Sequence, residues 1–129
     1  MQETTAKTIL VVEDEPDVLT YLVTFFKING FNVLTATDGR KGFETAKNNH
    51  PDLISLDITM PEESGVRMYR NLHDDPSTRD IPVIIITGVS GEFKGFIESR
   101  KHINPPAGYF EKPIDREVVL ARIKEILGM

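Results

Sequence analysis

The chain has 129 residues, of which 40% are hydrophobic and 27% charged, enough apolar material for a single domain with a real core. Twenty acids against 15 bases give a net charge of −5, which argues against binding nucleic acid or an anionic membrane, both of which need a basic surface. There is no cysteine, so disulfides, thiolate catalysis, Cys-type zinc sites and iron–sulfur clusters are excluded.

Along the chain, short β-branched runs alternate with amphipathic segments. Residues 1–7 are expected to form a flexible N-terminus ahead of a domain over 8–129, and they lack the apolar core of a signal peptide. Thr8 to Val12 reads as a strand, stopped by Glu13-Asp14-Glu15-Pro16. Asp17 to Ile28 has helical spacing of Val18, Leu19, Leu22, Phe25 and Phe26, and Asn29-Gly30 closes it. Phe31 to Ala36 is a second strand, and Asp38 to Asn49 a helix with Phe43 and Ala46 inside. Pro51 to Leu56 is a third strand running into Asp57; a loop with Pro61 follows, and Gly65 enters a helix that reaches about His73.

Ile81 to Thr87 is the most hydrophobic strand, as expected of a parallel strand covered on both faces. Gly88 to Asn104 reads as a helix weakened by three glycines and ended by Pro105-Pro106. Tyr109 to Glu111 is a short strand, and Asp115 caps a last helix with Val118, Val119, Ala121 in part, Ile123, Ile126 and Leu127 inside. Five βα units in this order predict an α/β fold: a doubly wound, five-stranded parallel sheet with helices on both faces. No run of apolar residues approaches the length of a membrane span, so a cytoplasmic protein is expected.

In such sheets the functional site lies beyond the carboxyl ends of the strands. Those positions are Glu13 and Asp14, Asp57, Thr87, and Lys112 followed by Pro113. Taken singly, each has a bland explanation: helix capping, a turn residue, a common strand residue, a solvated lysine. Together they place three carboxylates, a hydroxyl and an ammonium at one end of the sheet. At about 5 Å and an effective dielectric near 20, each like-charge pair costs roughly 3 kcal/mol, and a hard divalent cation would remove that cost. The chemistry that fits is phosphoryl transfer to a carboxylate, with Asp57 as nucleophile and Lys112 and Thr87 holding phosphoryl oxygens. His50, His73 and His102 have no partner at metal-ligand spacing and receive no role.

Four stretches in this order carry a family resemblance: Ile9-Leu10-Val11-Val12-Glu13-Asp14-Glu15, Pro51 to Pro61 with Gly65, Pro82 to Gly88, and Gly108-Tyr109-Phe110-Glu111-Lys112-Pro113. The chain resembles the receiver domain of two-component response regulators, from about Thr8 to Leu127. The resemblance implies the flavodoxin-like strand order 2-1-3-4-5 and a phosphoacceptor signalling function. Asp57 would take a phosphoryl group from a sensor histidine kinase, a phosphotransfer protein or a small donor such as acetyl phosphate, and would lose it slowly by itself. Asp14 and Asp57, with the backbone carbonyl of Thr59, would ligate Mg²⁺ or Mn²⁺, and Glu13 would act through water. Thr87 and Lys112 would contact the phosphoryl group; Thr87 and Tyr109 would form the switch pair.

The resemblance also makes Pro61, Gly65 and a cis Lys112–Pro113 bond structural features. Thr59 and Val89 would tune phosphate lifetime. The segment 88–104, the last strand and the last helix would form the surface for an unnamed downstream protein, or for a homodimer. Two rivals share the architecture. A degenerate receiver would ignore phosphate, yet every site residue is present. A flavin protein would need a Ser/Thr/Gly-rich phosphate loop after the first strand, where this chain has Glu13-Asp14-Glu15-Pro16. About two residues follow the last predicted helix, so the chain is read as a stand-alone receiver or a fragment of a longer protein.

Overall fold

In a computed structural model the described residues are 6–61, 64–88 and 105–129. They form β1 (Thr8–Val12), α1 (Pro16–Ile28), β2 (Asn32–Ala36), α2 (Gly39–Asn49), β3 (Leu53–Leu56), α3 (Ser64–Asp74), β4 (Val83–Thr87), β5 (Gly108–Glu111) and α4 (Arg116–Leu127). All neighbouring strands pair in parallel, in the order β2-β1-β3-β4-β5. This is the doubly wound sheet and strand order expected from the sequence. The helix expected between Gly88 and Asn104 lies outside the described residues, apart from Gly88 itself. Of the expected flexible N-terminus, residues 1–5 lie outside them too, while the Lys7 carbonyl accepts a bond from the Asn32 amide at 2.9 Å.

The side-chain alternation of a strand sorts the core into two layers. Leu10, Val12, Ile54, Leu56, Val83 and Ile85 face one side and pack with Ala46, Met68, Tyr69 and Leu72 from α2 and α3. Ile9, Val11, Leu53, Ile84 and Ile86 face the other and pack with Leu22 and Phe26 of α1 and Val119 and Ile123 of α4. A strand buried on both faces is apolar at nearly every position, which is why β1 and β4 read as almost continuous runs. Among the described residues, no helix is long and apolar enough to cross a membrane.

Helix ends follow local chemistry. Pro16 occupies the first turn of α1, where its missing N–H costs nothing. Asp38 accepts from the Lys41 amide at the start of α2. Asp115 accepts from the amides of Glu117 and Val118, and Gly128 takes the left-handed conformation after α4. Two expectations for α4 are corrected. Val118 is 53% exposed and Ala121 is exposed, because only one stripe of α4, carrying Val119 and Ile123, reaches the sheet. Observed strand starts at Asn32, Leu53 and Val83 lie one or two residues inside the expected runs, since Phe31, Pro51 and Ile81 pack without joining the ladder.

Candidate functional site

The parallel register builds the site. Val12 is opposite Leu56, so the next residue of each strand, Glu13 and Asp57, emerges side by side. The ladder continues one step further: the Asp57 amide donates to the Val12 carbonyl at 3.0 Å, and the Glu13 amide to the Ala36 carbonyl at 3.1 Å. Two carboxylates are thereby placed at adjacent strand ends by backbone pairing rather than by loop flexibility. Asp14 follows on the turn into α1. Carboxylate oxygens of Glu13, Asp14 and Asp57 all lie within 4.8 Å of one another. Glu13 is 1% exposed and Asp57 3%, whereas Asp14 faces solvent.

Lys112 closes the cluster from β5. Thr87 pairs with Glu111 at the end of the β4–β5 ladder, and the Lys112 amide donates to the Thr87 carbonyl at 2.7 Å. The Lys112–Pro113 peptide is cis. Lys112 Nζ donates to Glu13 Oε1 at 2.8 Å and lies 3.4 Å from Asp57 Oδ2. Its closer partner is therefore the first-strand glutamate. The other oxygen of Asp57, Oδ1, accepts from the Thr59 amide at 2.8 Å and from the Thr59 hydroxyl at 2.5 Å.

This crowding moves the titrations. Burial pushes the Glu13 carboxyl up to about 7, and its hydrogen bond with Asp57 acts in the same direction against Lys112. For Asp57, burial alone would raise the carboxyl. The hydrogen bonds with Glu13 and from Thr59, with the charge of Lys112, outweigh it and hold the carboxyl below its ordinary value. The two neighbouring carboxyls are thus shifted in opposite directions, Glu13 up and Asp57 down. Burial opposes the charge of Lys112, but Glu13 and Asp57 raise its titration overall.

The loop after Asp57 is held at its far end. A side chain at Gly65 would strike the Asp57 carbonyl oxygen, so only glycine lets α3 begin this close to β3. Ser64 accepts the Gly39 amide on its Oγ at 2.5 Å, tying the first turn of α2 to that of α3. Ser64 does not stand out among the candidate site residues of the sequence; a serine directly ahead of a glycine that enters a helix is the signal for it. Pro61 is exposed in the same loop.

Of the remaining candidates, Thr87 is fully buried at the end of β4. Tyr109 is half-buried and packs against the α2–α3 layer of the core, where burial, helped by Glu111, raises its hydroxyl. Val89 lies outside the described residues. The structure therefore brings together Glu13, Asp14, Asp57, Thr59 and Lys112, with Thr87 joined through its backbone and Tyr109 along the neighbouring strand. Three hard oxygen donors at one point, one of them solvent-facing, form a donor set that suits a small divalent cation with some of its waters retained.

A parallel sheet of this order with acids at the ends of its first and third strands and a lysine after its fifth defines a flavodoxin-like α/β domain with an acidic pocket at the carboxyl ends of its strands. Residues 9–124 match the family described as the response regulator receiver domain, and the chain belongs to that family. It is 34% identical over 120 residues to the protein PilH of Pseudomonas aeruginosa, covering 93% of this chain and 97% of that one. It is 32% identical over 122 residues to the polar-differentiation response regulator DivK of Brucella ovis, covering 95% and 97%. Among solved structures, the receiver domain of a sensor histidine kinase from Pseudomonas aeruginosa, crystallised with a magnesium ion coordinated in its active site cleft, superposes with a TM-score of 0.82. That match has 23% identity and covers 97% of this chain and 100% of that one.

Proposed function

We propose that this receiver domain accepts a phosphoryl group on Asp57 from the phosphohistidine of a sensor histidine kinase or phosphotransfer protein, and thereby changes its affinity for a downstream protein. The observation that supports it most is the convergence of three carboxylates within 4.8 Å, two of them buried and bridged by Lys112. Asp14, Asp57 and the Thr59 carbonyl would hold Mg²⁺ or Mn²⁺, with Glu13 acting through water. The cation would supply charge neutralisation around the transferring group.

Asp57 attacks phosphorus, an O–P bond forms, and the donor's N–P bond breaks with its electron pair leaving on the imidazole. The ladder bonds that fix Asp57 orient it toward an in-line donor. Lys112 can exchange its contact with Asp57 for a phosphoryl oxygen while staying anchored on Glu13, and the Thr87 hydroxyl donates to another. The product carries up to roughly two negative charges where Asp57 carried one. Thr87 and Tyr109, on neighbouring strands, would pass that change to the outer surface of the sheet edge. Water later cleaves the acyl phosphate and returns Asp57. A cytoplasmic location follows from a kinase-supplied phosphoryl group.

Incubation with acetyl phosphate and Mg²⁺ tests this by intact mass. One phosphoryl adduct is expected on the wild type and none on Asp57→Asn. No adduct on the wild type, or one that survives the substitution, sinks the reading.

A further inference from the structure

Asp57 presents two carboxylate oxygens with about four acceptor positions between them. Thr59 fills both positions on Oδ1, one with its amide and one with its hydroxyl. Lys112 takes one on Oδ2. The hydrogen bond with Glu13 takes another, so none is left, whereas the reaction proposed above needs two: one oxygen for the incoming phosphorus and a lone pair on the other for the cation. Glu13 gives up its bond when it turns to a water of the cation, and one further contact has to give way. The Thr59 amide is fixed by the backbone, and Lys112 is fixed by its shorter bond to buried Glu13. The Thr59 hydroxyl sits on an exposed side chain that can rotate about one bond into water.

We propose that the Thr59 hydroxyl is a positioning group that competes with the divalent cation for Asp57 Oδ1, so that Thr59 sets the cation affinity of this receiver. The proposal rests on the phosphoacceptor reading of the site. At rest the hydroxyl stabilises the carboxylate and fixes its rotamer. Cation entry requires Thr59 to turn away, and the hydrogen bond it loses lowers the net gain. This is a role for the side chain distinct from that of the Thr59 carbonyl, and it acts before any phosphoryl group arrives.

Mg²⁺ titration followed by amide NMR shifts around Asp57, at pH 8 and without a phosphodonor, reads the affinity directly. Thr59→Val keeps the shape and the amide but removes the donor, and should bind Mg²⁺ about fivefold more tightly than the wild type, the effect of one charge-assisted hydrogen bond largely replaced by water. Thr59→Ala should shift the same way, and Thr59→Ser, which restores the hydroxyl, should return to wild-type affinity. Unchanged or weaker binding by Thr59→Val and Thr59→Ala overturns the proposal, as does equal tightening by Thr59→Ser. A wild type that binds Mg²⁺ no better than Asp57→Asn overturns the phosphoacceptor reading and this proposal together.

Discussion

The faces of the sheet and its carboxyl-terminal edge are buried to the same depth but built on opposite principles. Both faces are apolar, and their side chains gain free energy simply by leaving water. The edge buries Glu13 and Asp57 beside each other, with one lysine between two carboxylates. Burial stabilises the first region and strains the second. The faces hold the fold with enough surplus to keep two repelling groups in place, and that repulsion makes the edge a receptor for positive charge.

The faces should respond most strongly to lost volume. Phe26 is fully buried under α1, packs edge-on against Phe31 with ring centroids 6.3 Å apart, and touches Phe25 at 5.4 Å. Phe26→Ala should cost about 3–5 kcal/mol in urea unfolding, through lost transfer free energy and the cavity left behind. The adduct on Asp57 should still form under conditions where the variant remains folded. A loss below about 1 kcal/mol would mean that α1 is not the structural lid that the packing describes.

The edge should respond to charge. Between pH 4.5 and about 7, folded Glu13 holds a proton that the unfolded chain releases. Unfolding free energy in chelator should therefore fall as pH rises through that window, by up to roughly 3 kcal/mol, and level off above it. Asp57 is shifted the other way, so its contribution is lost only as pH falls below 3.8, outside that window. Glu13→Gln should flatten the slope and be more stable than the wild type at pH 8, while Mg²⁺ at pH 8 should raise the wild-type melting temperature and Asp57→Asn should reduce that gain. A wild-type melting temperature that does not change between pH 4.5 and 7 would show that the edge is not strained.

These two regions were not equally legible from sequence. The faces are written in periodicity: continuous apolar runs give strands covered on both sides, and Leu22 and Phe26 mark the inner stripe of α1. Val118 and Ala121 are exposed although they read as inner positions, because outer and inner positions of α4 are both apolar and composition does not say which stripe faces the sheet. At the edge, the identity of the residues was legible because each directly follows a strand, and parallel register turns position in the chain into position in space. Their pairing was not. That Lys112 lies closer to Glu13 than to Asp57, and that Thr59 turns its hydroxyl back onto Asp57, depend on rotamers set by the finished turn. Tyr69 and Thr78 are buried without any strong apolar signal; Thr78 is satisfied by the Leu72 carbonyl at 2.8 Å.

The smallest effect is expected where the two regions meet. Ser64 opens α3 on the far side of the Asp57 loop, and its hydroxyl oxygen satisfies the amide of Gly39, an N–H that the first turn of α2 cannot pair within its own helix. Ser64→Ala should cost about 1 kcal/mol, the net value of one hydrogen bond whose donor would otherwise be left at a half-buried helix end. Its consequence for the edge separates two accounts of how the site is held. If the ladder bonds at Val12 and Ala36 and the close packing of Gly65 fix the carboxylates, Ser64→Ala should unfold at lower urea and yet bind Mg²⁺ with wild-type affinity. A tenfold weaker affinity at unchanged stability would instead mean that the α2–α3 tie aims the Asp57 loop, and that the boundary between face and edge belongs to the site.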